Sequence, residues 1–371
     1  TSHFQPNIGG VETHLNDLVS ALTKRKWNVA IATYNPLAKN IRVKFFEKKK
    51  KLKVYRLPWP GFNIVHKLTP YPILELLYLF PGLFLISIYA LVENPKVKIL
   101  HAQGLVPAVI ALILAKITGK RAIVSTHNLY FFPKVGLYRQ AARFVLANAD
   151  CVLCLSEASL SEILSVGVPK NKVRRFHYWL DLNIFKPLNK NIAKQKTKLS
   201  GMFISLFVGR LIETKGVNLL LESGRVTKGI TYLFAGPGPL EKEIKNEANK
   251  NKNIIYLGSL APASSQLRLY LSAADVVSAP SLVDEGYGRV AMEAIACGTP
   301  VLATDVGGLN EVVDKKVGWV VKPSLKEYKL ELLRLKRSPK EVAKARNNTR
   351  KYAARFFSEK NVEEIIKAYE E

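Results

Sequence analysis

Phe203-Ile204-Ser205-Leu206-Phe207-Val208-Gly209-Arg210-Leu211-Ile212-Glu213-Thr214-Lys215-Gly216 is an apolar run that stops at a glycine, carries two cations past it and ends on a second glycine. The run Phe203 to Val208 reads as a short strand buried on both faces. Gly209 breaks it, and Lys215-Gly216 opens a segment, Val217 to Ser223, that reads as a helix. Strand, short loop and helix form the repeating unit of a parallel sheet covered by helices on both faces. Arg210 is a planar fork of donors and Lys215 a flexible point charge, both at the carboxyl end of a strand and near a helix start. That is a good place to hold a diphosphate, although two solvated cations on a basic protein would leave the same sequence.

The unit recurs in both directions. Downstream come the strand Ile230 to Ala235, the rigid turn Gly236-Pro237-Gly238-Pro239, the helix Leu240 to Ala248, the strand Ile254 to Leu257, the helix Ser265 to Leu271 and the strands Val276 to Ala279 and Val301 to Thr304. Upstream the strands are Val29 to Thr33, Val54 to Leu57, Val97 to His101, Ala122 to Ser125 and Cys151 to Leu155, interleaved with the helices Val106 to Lys116, Tyr138 to Leu146 and Ala158 to Leu164. The rhythm pauses at 186–200, a polar, lysine-rich stretch with Pro187 that reads as a linker. The expectation is therefore α/β, two doubly wound domains in tandem: 1–185, a linker 186–200, 201–351, and a C-terminal helix in 352–371 that crosses back to the first domain. Ligands of such domains lie beyond the carboxyl ends of the strands.

The chain opens with Thr1 to Gly10, which reads as the loop after a strand, followed by a helix from Val11 to Leu22, with no strand before it. A parallel sheet without that strand would hold unpaired backbone groups, so the expectation is a first domain whose first strand is missing by truncation. The other reading is a domain that tolerates the loss.

A length of 371 residues suits two domains with sizeable cores, and 48% apolar residues argue against disorder. Cys151, Cys154 and Cys297 make no disulfide framework, and Cys151 to Leu155 reads as a buried strand rather than a redox or metal site. No signal peptide is apparent, nor an uninterrupted apolar span of membrane length. A formal charge of +27 implies attraction to something anionic. Lys48-Lys49-Lys50-Lys51 reads as a hairpin tip, and nucleic acid is set aside because no recognition signature accompanies it. An anionic membrane surface is the favoured partner for this charge, against general solubility.

Glu285-Gly286-Tyr287-Gly288-Arg289-Val290-Ala291-Met292-Glu293 places one carboxylate at a glycine-rich strand-to-helix turn and a second about 12 Å further along the helix. That is too long for two carboxylates sharing one glycosidic bond. It suits two ends of an elongated polar ligand, or simply a cap residue and an ordinary helical glutamate. Gly9-Gly10 precedes a helix whose first amides an anion or sugar would approach closely. Gly307-Gly308 follows Asp305 in the same manner.

These pieces together resemble the family 4 retaining glycosyltransferases of GT-B architecture, with lipid-linked and phosphatidylinositol-type sugar transferases among the closer-looking relatives. The resemblance rests on Gly209-Arg210-Leu211 with Lys215-Gly216, Gly236-Pro237-Gly238-Pro239, the Glu285 to Glu293 spacing, Ala296-Cys297-Gly298-Thr299-Pro300-Val301 and Asp305-Val306-Gly307-Gly308-Leu309-Asn310-Glu311. Gly9-Gly10-Val11-Glu12-Thr13-His14 and His101-Ala102-Gln103-Gly104 extend it over essentially the whole chain. It implies two Rossmann-like domains facing across a cleft, a nucleoside-diphosphate sugar as donor (a UDP- or GDP-sugar), and no obligatory metal. By the same resemblance Gly209, Arg210 and Lys215 hold the diphosphate, and Gly9 and Gly10 approach it from the other domain. Glu293 accepts from the ribose, Leu260 lies at the base, and Glu285 with the backbone at Gly286, Tyr287 and Gly288 holds the transferred sugar. His127 would lie beside the reacting sugar or acceptor, and His101 and Gln103 are acceptor-side candidates; a structural histidine remains the other reading of each. The stretch His177-Tyr178-Trp179-Leu180-Asp181 departs from the family's usual Pro-Asn-Gly junction.

The expected reaction is transfer of a hexose or N-acetylhexosamine to a hydroxyl of a lipid, glycan or sugar phosphate. Leu76 to Val92, interrupted by Pro81-Gly82, reads as a helix pair with some apolar face left over. With the lysine run and the aromatics Tyr71, Tyr78 and Phe80, it suits a cytoplasmic protein resting peripherally on the inner face of the cell membrane. A nucleotide-sugar epimerase of the same architecture and a basic scaffold or nucleic-acid-binding protein are the alternatives.

Overall fold

Apolar β-rich runs separated by amphipathic helices give the first unit its order in the computed structural model, which describes residues 1–371 apart from 8, 38–40, 42, 62, 63, 69, 128, 284 and 285. The unit comprises Thr1–Tyr178 together with Glu359–Glu371. It runs α1 (Gly10–Lys24), β1 (Val29–Tyr34), β2 (Phe46–Lys49), β3 (Leu52–Leu57), α2 (Ile64–Leu68), α3 (Pro72–Val92), β4 (Ile99–Gln103) and α4 (Leu105–Thr118). Then come β5 (Arg121–Ser125), α5 (Leu137–Asn148), β6 (Cys151–Cys154), α6 (Glu157–Ser165) and β7 (Val173–Arg175). One sheet has the order β1-β3-β2 and the other β4-β5-β6-β7, all parallel except the β2–β3 hairpin. The lysine run is the hairpin tip expected of it, and exposed Lys48 and Lys49 on edge strand β2 discourage further pairing there. Cys151 and Cys154 are buried in β6.

α3 is one helix, not the expected pair. Pro81 lacks the N–H that would continue the backbone ladder. The turn before it is held from outside: Trp59 Nε1 donates to Tyr78 O at 3.1 Å and the Tyr34 hydroxyl donates to Leu79 O. Gly82 completes the fit, since a Cβ there would fall 2.5 Å from the Trp59 ring. One side of α3 buries Leu79, Leu83 and Ile86, while Leu77, Leu85 and Val92 stay 61–71% exposed. Among the described residues α3 is the one helix long and apolar enough to cross a membrane, by length and composition only.

The second unit is Trp179–Ser358. Its elements are α7 (Lys190–Lys196), β8 (Phe203–Val208), α8 (Val217–Val226), β9 (Ile230–Ala235), α9 (Glu241–Lys250), β10 (Ile254–Tyr256), α10 (Ser265–Ala273) and β11 (Val276–Ala279). They continue with α11 (Arg289–Ala296), β12 (Val301–Thr304), α12 (Leu309–Val312), β13 (Gly318–Val321), α13 (Leu325–Arg337) and α14 (Pro339–Phe356). All six strands are parallel in the order β10-β9-β8-β11-β12-β13. The chain starts in the middle with β8, works outward to β10, then returns beside β8 to build the other half. The order therefore reverses between β8 and β11, the kind of place where open α/β sheets bind ligands.

The lysine-rich segment 186–200 is not a linker but part of the second unit. Lys190 and Lys194 both reach the buried Asp275 carboxylate, Lys194 at 2.7 Å, and Asp275 also accepts from the Ile204 N–H at 2.8 Å. Pro187 packs against Gly298, and Leu188 N–H donates to Ser272 Oγ at 3.2 Å. The division falls instead between Tyr178 and Trp179, both buried. After α14 the chain rejoins the first unit as α15 (Val362–Glu370). There Tyr369 bonds His101, and Glu363 pairs with Arg25 at 2.8 Å.

Candidate active site

Four loops at the carboxyl ends of β8, β9, β11 and β12 are held together in the second unit by backbone contacts that only glycine permits. Gly216 (φ 69°) lies so close to Pro280 that a Cβ would fall 1.8 Å from its carbonyl oxygen. Leu282 N–H donates to Thr214 O at 2.9 Å, so the loops after β8 and β11 are tied at the point where the strand order reverses. Gly236 (φ 133°) meets the Gly209 carbonyl in the same way, at 1.9 Å from a would-be Cβ, and Leu211 N–H donates to Pro237 O at 2.8 Å. A Cβ on Gly308 would fall 2.3 Å from the Gly286 carbonyl. Thr304 Oγ1 donates to Ser281 O at 2.5 Å, tying the end of β12 to the loop after β11.

This frame carries most of the donor-side residues expected from the sequence. Arg210 is exposed in the loop after β8, and Lys215, half-buried, closes that loop just before α8. Both α8 and α11 begin at a left-handed glycine, Gly216 and Gly288, with no side chain capping either end. Their first-turn N–H groups and positive dipole ends thus belong to the same group of loops as the two cations. Leu260, 9% exposed, sits in the loop after β10. Tyr287 is buried immediately before α11. The Glu285 carboxylate, expected at the transferred sugar, lies outside the described residues.

Glu293 is more enclosed than an open ribose acceptor needs to be. Ala291 through Ala296 are all buried, so the carboxylate is carried into the interior on α11. Arg289, one turn earlier, donates Nε to Glu293 Oε1 at 3.0 Å, with both side chains about one-tenth exposed. Removing either partner would leave a charge in a desolvated place.

The first unit brings together a different set. Gly9 caps α1 and Gly10 opens it; a Cβ on Gly10 would have nothing within 4 Å, so the first turn of α1 is open to an approaching group there. His14, one turn on, is buried and stacks on Tyr178 with ring centroids 4.1 Å apart. His127 lies 5.5 Å from His14, and its Nδ1 is 2.7 Å from the Tyr178 hydroxyl. Its Nε2 is 2.7 Å from Gln103 Oε1. As placed, Nε2 donates to the amide oxygen and Nδ1 accepts from Tyr178, which fixes the neutral tautomer. Burial lowers the pKa of His127 to about 4, so the ring is uncharged at neutral pH.

Two expectations change as a result. His127 does not present itself toward solvent: it is 7% exposed with both nitrogens engaged inside the unit. His101 is not an open acceptor-side group, because Nδ1 lies 2.7 Å from the Tyr369 hydroxyl and Nε2 2.7 Å from Ser125 Oγ. It fastens α15 to the sheet, and burial pushes its pKa down to about 3. Gln103 stays with His127. The sequence assigns no role to His14 or Tyr178, and the one local signal is that His14 falls four residues after Gly10 on one helix face, a spacing that marks it as a neighbour. The bulky junction residues are core: Trp179 is 2% exposed, and Leu180 N–H donates to Phe357 O at 3.0 Å.

Two family models divide the chain, "Glycosyltransferase Family 4" over residues 8–183 and "Glycosyl transferases group 1" over residues 189–353. An uncharacterized glycosyltransferase, MJ1178, of Methanocaldococcus jannaschii is 27% identical over 100% of this chain and 97% of its own length. A phosphatidylinositol N-acetylglucosaminyltransferase subunit of Arabidopsis thaliana is 26% identical over 84% of this chain and 67% of its own. Among solved structures, a sucrose-phosphate synthase from Thermosynechococcus elongatus superposes with a TM-score of 0.81 at 21% identity, covering 98% of this chain and 93% of the other. That likeness shows the GT-B fold.

Proposed function

The chain belongs to the group 1, family 4 glycosyltransferases, and we propose that it moves a hexose or N-acetylhexosamine from a nucleoside-diphosphate sugar to a hydroxyl of a lipid acceptor, with retention at the anomeric carbon. The observation that carries the donor half is the loop frame at the strand-order reversal, with Arg210, Lys215 and two uncapped helix starts together. As the bond from anomeric carbon to phosphate oxygen breaks, negative charge grows on the leaving diphosphate. Cations and helix N–H groups fixed beforehand favour that charge most when it is fully developed, which is what lowers a barrier.

Retention follows from same-face attack, in which a phosphate oxygen of the leaving group takes the acceptor proton and no protein nucleophile is needed. Neutral His127 is a positioning group in this scheme: through Gln103 and Tyr178 it orders the acceptor side without exchanging a proton near neutral pH. Glu293 serves the ribose while Arg289 holds its Oε1, and Glu285 serves the hydroxyls of the sugar. The donor needs no obligatory metal, since Arg210 and Lys215 neutralise the diphosphate.

The lipid acceptor rests on α3 and the hairpin. Apolar Leu77, Leu85 and Val92 are exposed along α3, and Tyr89 near its end contacts Phe45 beside the lysine hairpin at 5.6 Å between ring centroids. An apolar face bordered by lysines suits peripheral binding to the anionic cytoplasmic leaflet, and the names of inositol-lipid sugar transferases among the relatives point to a polyol headgroup. The test is transfer to phosphatidylinositol in vesicles, with the product anomer read by proton NMR. An α-linked product from an α-linked donor is expected; a β-linked product would overturn retention, and transfer only to water-soluble glycans would overturn the lipid acceptor.

A further inference from the structure

Phe131 is held in a costly backbone conformation with its side chain in the open. Its φ is 50°, in the left-handed region that a bulky residue seldom enters, and it is 66% exposed. Its neighbours impose this. One carboxylate, Glu162 of α6, accepts from the Tyr130 N–H at 3.0 Å and from the Phe132 N–H at 3.3 Å, gathering the amides on either side of Phe131. Tyr130 and Phe132 stack with ring centroids 5.3 Å apart, Phe132 meets Tyr138 at 5.5 Å, and Phe132 packs on the core beneath. Arg139 Nη1 donates to Pro133 O at 3.4 Å and fastens the loop to α5. Residues 130–133 are thus a built tip that lifts one aromatic ring clear of the fold.

Apolar surface continues from that tip. Val135 and Leu137 are 82% and 78% exposed, and Leu137, Ala141 and Phe144 follow one another at four- and three-residue steps along the outer side of α5. The opposite side of α5 buries Ala142, Val145 and Leu146. α5 packs on α4, which leaves Ile117 exposed, and α4 packs on α3 with its own exposed leucines. The charge here has one sign. From Asn94 to Ala149 the chain holds eight Lys or Arg and no Asp or Glu, and Lys134 stands exposed at the tip. Apolar side chains beside cations alone match an anionic bilayer, whose acyl boundary takes the first and whose phosphates take the second.

We propose that the loop 129–136 and the outer side of α5 form a membrane anchor separate from α3: Phe131, Val135 and Leu137 enter the boundary between headgroups and acyl chains of an anionic bilayer, and Lys134 meets its phosphates. The anchor presupposes the lipid acceptor proposed for this enzyme. His127 lies four residues before Phe131, so an anchored tip sets the His127 and Gln103 end of the sheet against the surface from which an acceptor hydroxyl arrives.

The test places an environment-sensitive fluorophore at Phe131→Cys in the full chain, where Cys151, Cys154 and Cys297 are buried and take no label. Vesicles of phosphatidylserine and phosphatidylcholine with doxyl-labelled acyl chains should quench it, and should leave the same label at exposed Val226→Cys of the second unit unquenched. Phe131→Ser combined with Leu137→Ser should weaken vesicle binding roughly 10-fold or more without lowering Tm, since both side chains are exposed. An unquenched Phe131 label on protein that sediments with the vesicles would overturn the anchor and leave α3 and the hairpin as the lipid-binding surface. Wild-type protein that does not sediment with them would overturn both. Equal quenching by phosphatidylcholine alone would overturn the match to anionic lipid, and a label shielded without lipid as protein concentration rises would assign the patch to a second copy instead.

Discussion

Gly10 and Gly216 respond to an added methyl in opposite ways, and that contrast separates binding from folding. At Gly216 the methyl would meet the Pro280 carbonyl in a left-handed backbone, so Gly216→Ala should cost roughly 3 kcal/mol of stability, read by urea unfolding. At Gly10 nothing described lies within 4 Å, so Gly10→Ala should leave Tm unchanged; a weakened donor affinity in the same variant is what the family resemblance implies for this glycine. An unchanged donor Kd would remove Gly10 from the donor site. Arg210→Ala and Lys215→Ala should each lower kcat about 10²- to 10³-fold if they stabilise the leaving diphosphate. Glu293→Gln should act chiefly on donor KM, and its pairing with Arg289 adds a loss of stability that a ribose contact alone would not give.

Elements carry two further expectations. The His14, His127, Phe176 and Tyr178 rings come from α1, the end of β5 and the segment after β7, and they depend on a neutral His127. The pKa of His127 falls from 6.5 to about 4 on folding, so the unfolded chain binds a proton first as pH drops. The stability is fully present above pH 6.5 and is lost as pH falls toward 4, by up to ~3 kcal/mol, and His127→Asn should reduce the slope in urea unfolding between pH 7 and 4.5 while leaving the part that buried His101 contributes over the same window. On the surface, replacing Lys48, Lys49 and Lys50 by Glu should cut sedimentation with phosphatidylserine vesicles by roughly 10²-fold or more at about 0.1 M salt. Transfer to a soluble acceptor should be left intact. Binding that persists would assign the charge to something other than a membrane.

For the molecule as a whole, a two-unit α/β reading was legible because most strands are apolar runs of four to six residues. β7 carries no strand signal because Val173–Arg175 is three residues long with two arginines, and β13 carries none because Gly318 and Trp319 do not look like a parallel strand. The segment 186–200 looked solvated because its partner Asp275 is far along the chain; Lys190 and Lys194 read as a linker until that carboxylate is in view. The donor loops were legible because glycines and cations at strand ends are local signals. The pairing of His127 with Gln103 and Tyr178, and of His101 with Tyr369, is tertiary and has no local signal. At this scale stands the proposal that the loop frame of the second unit binds and activates a nucleotide sugar. It is tested most directly by nucleoside diphosphate release from UDP-, GDP- and ADP-sugars, with and without phosphatidylinositol vesicles. Release from one of these donors, stimulated by the vesicles and largely lost in Lys215→Ala, is expected; no binding or turnover of any of them by the folded protein would contradict the proposal.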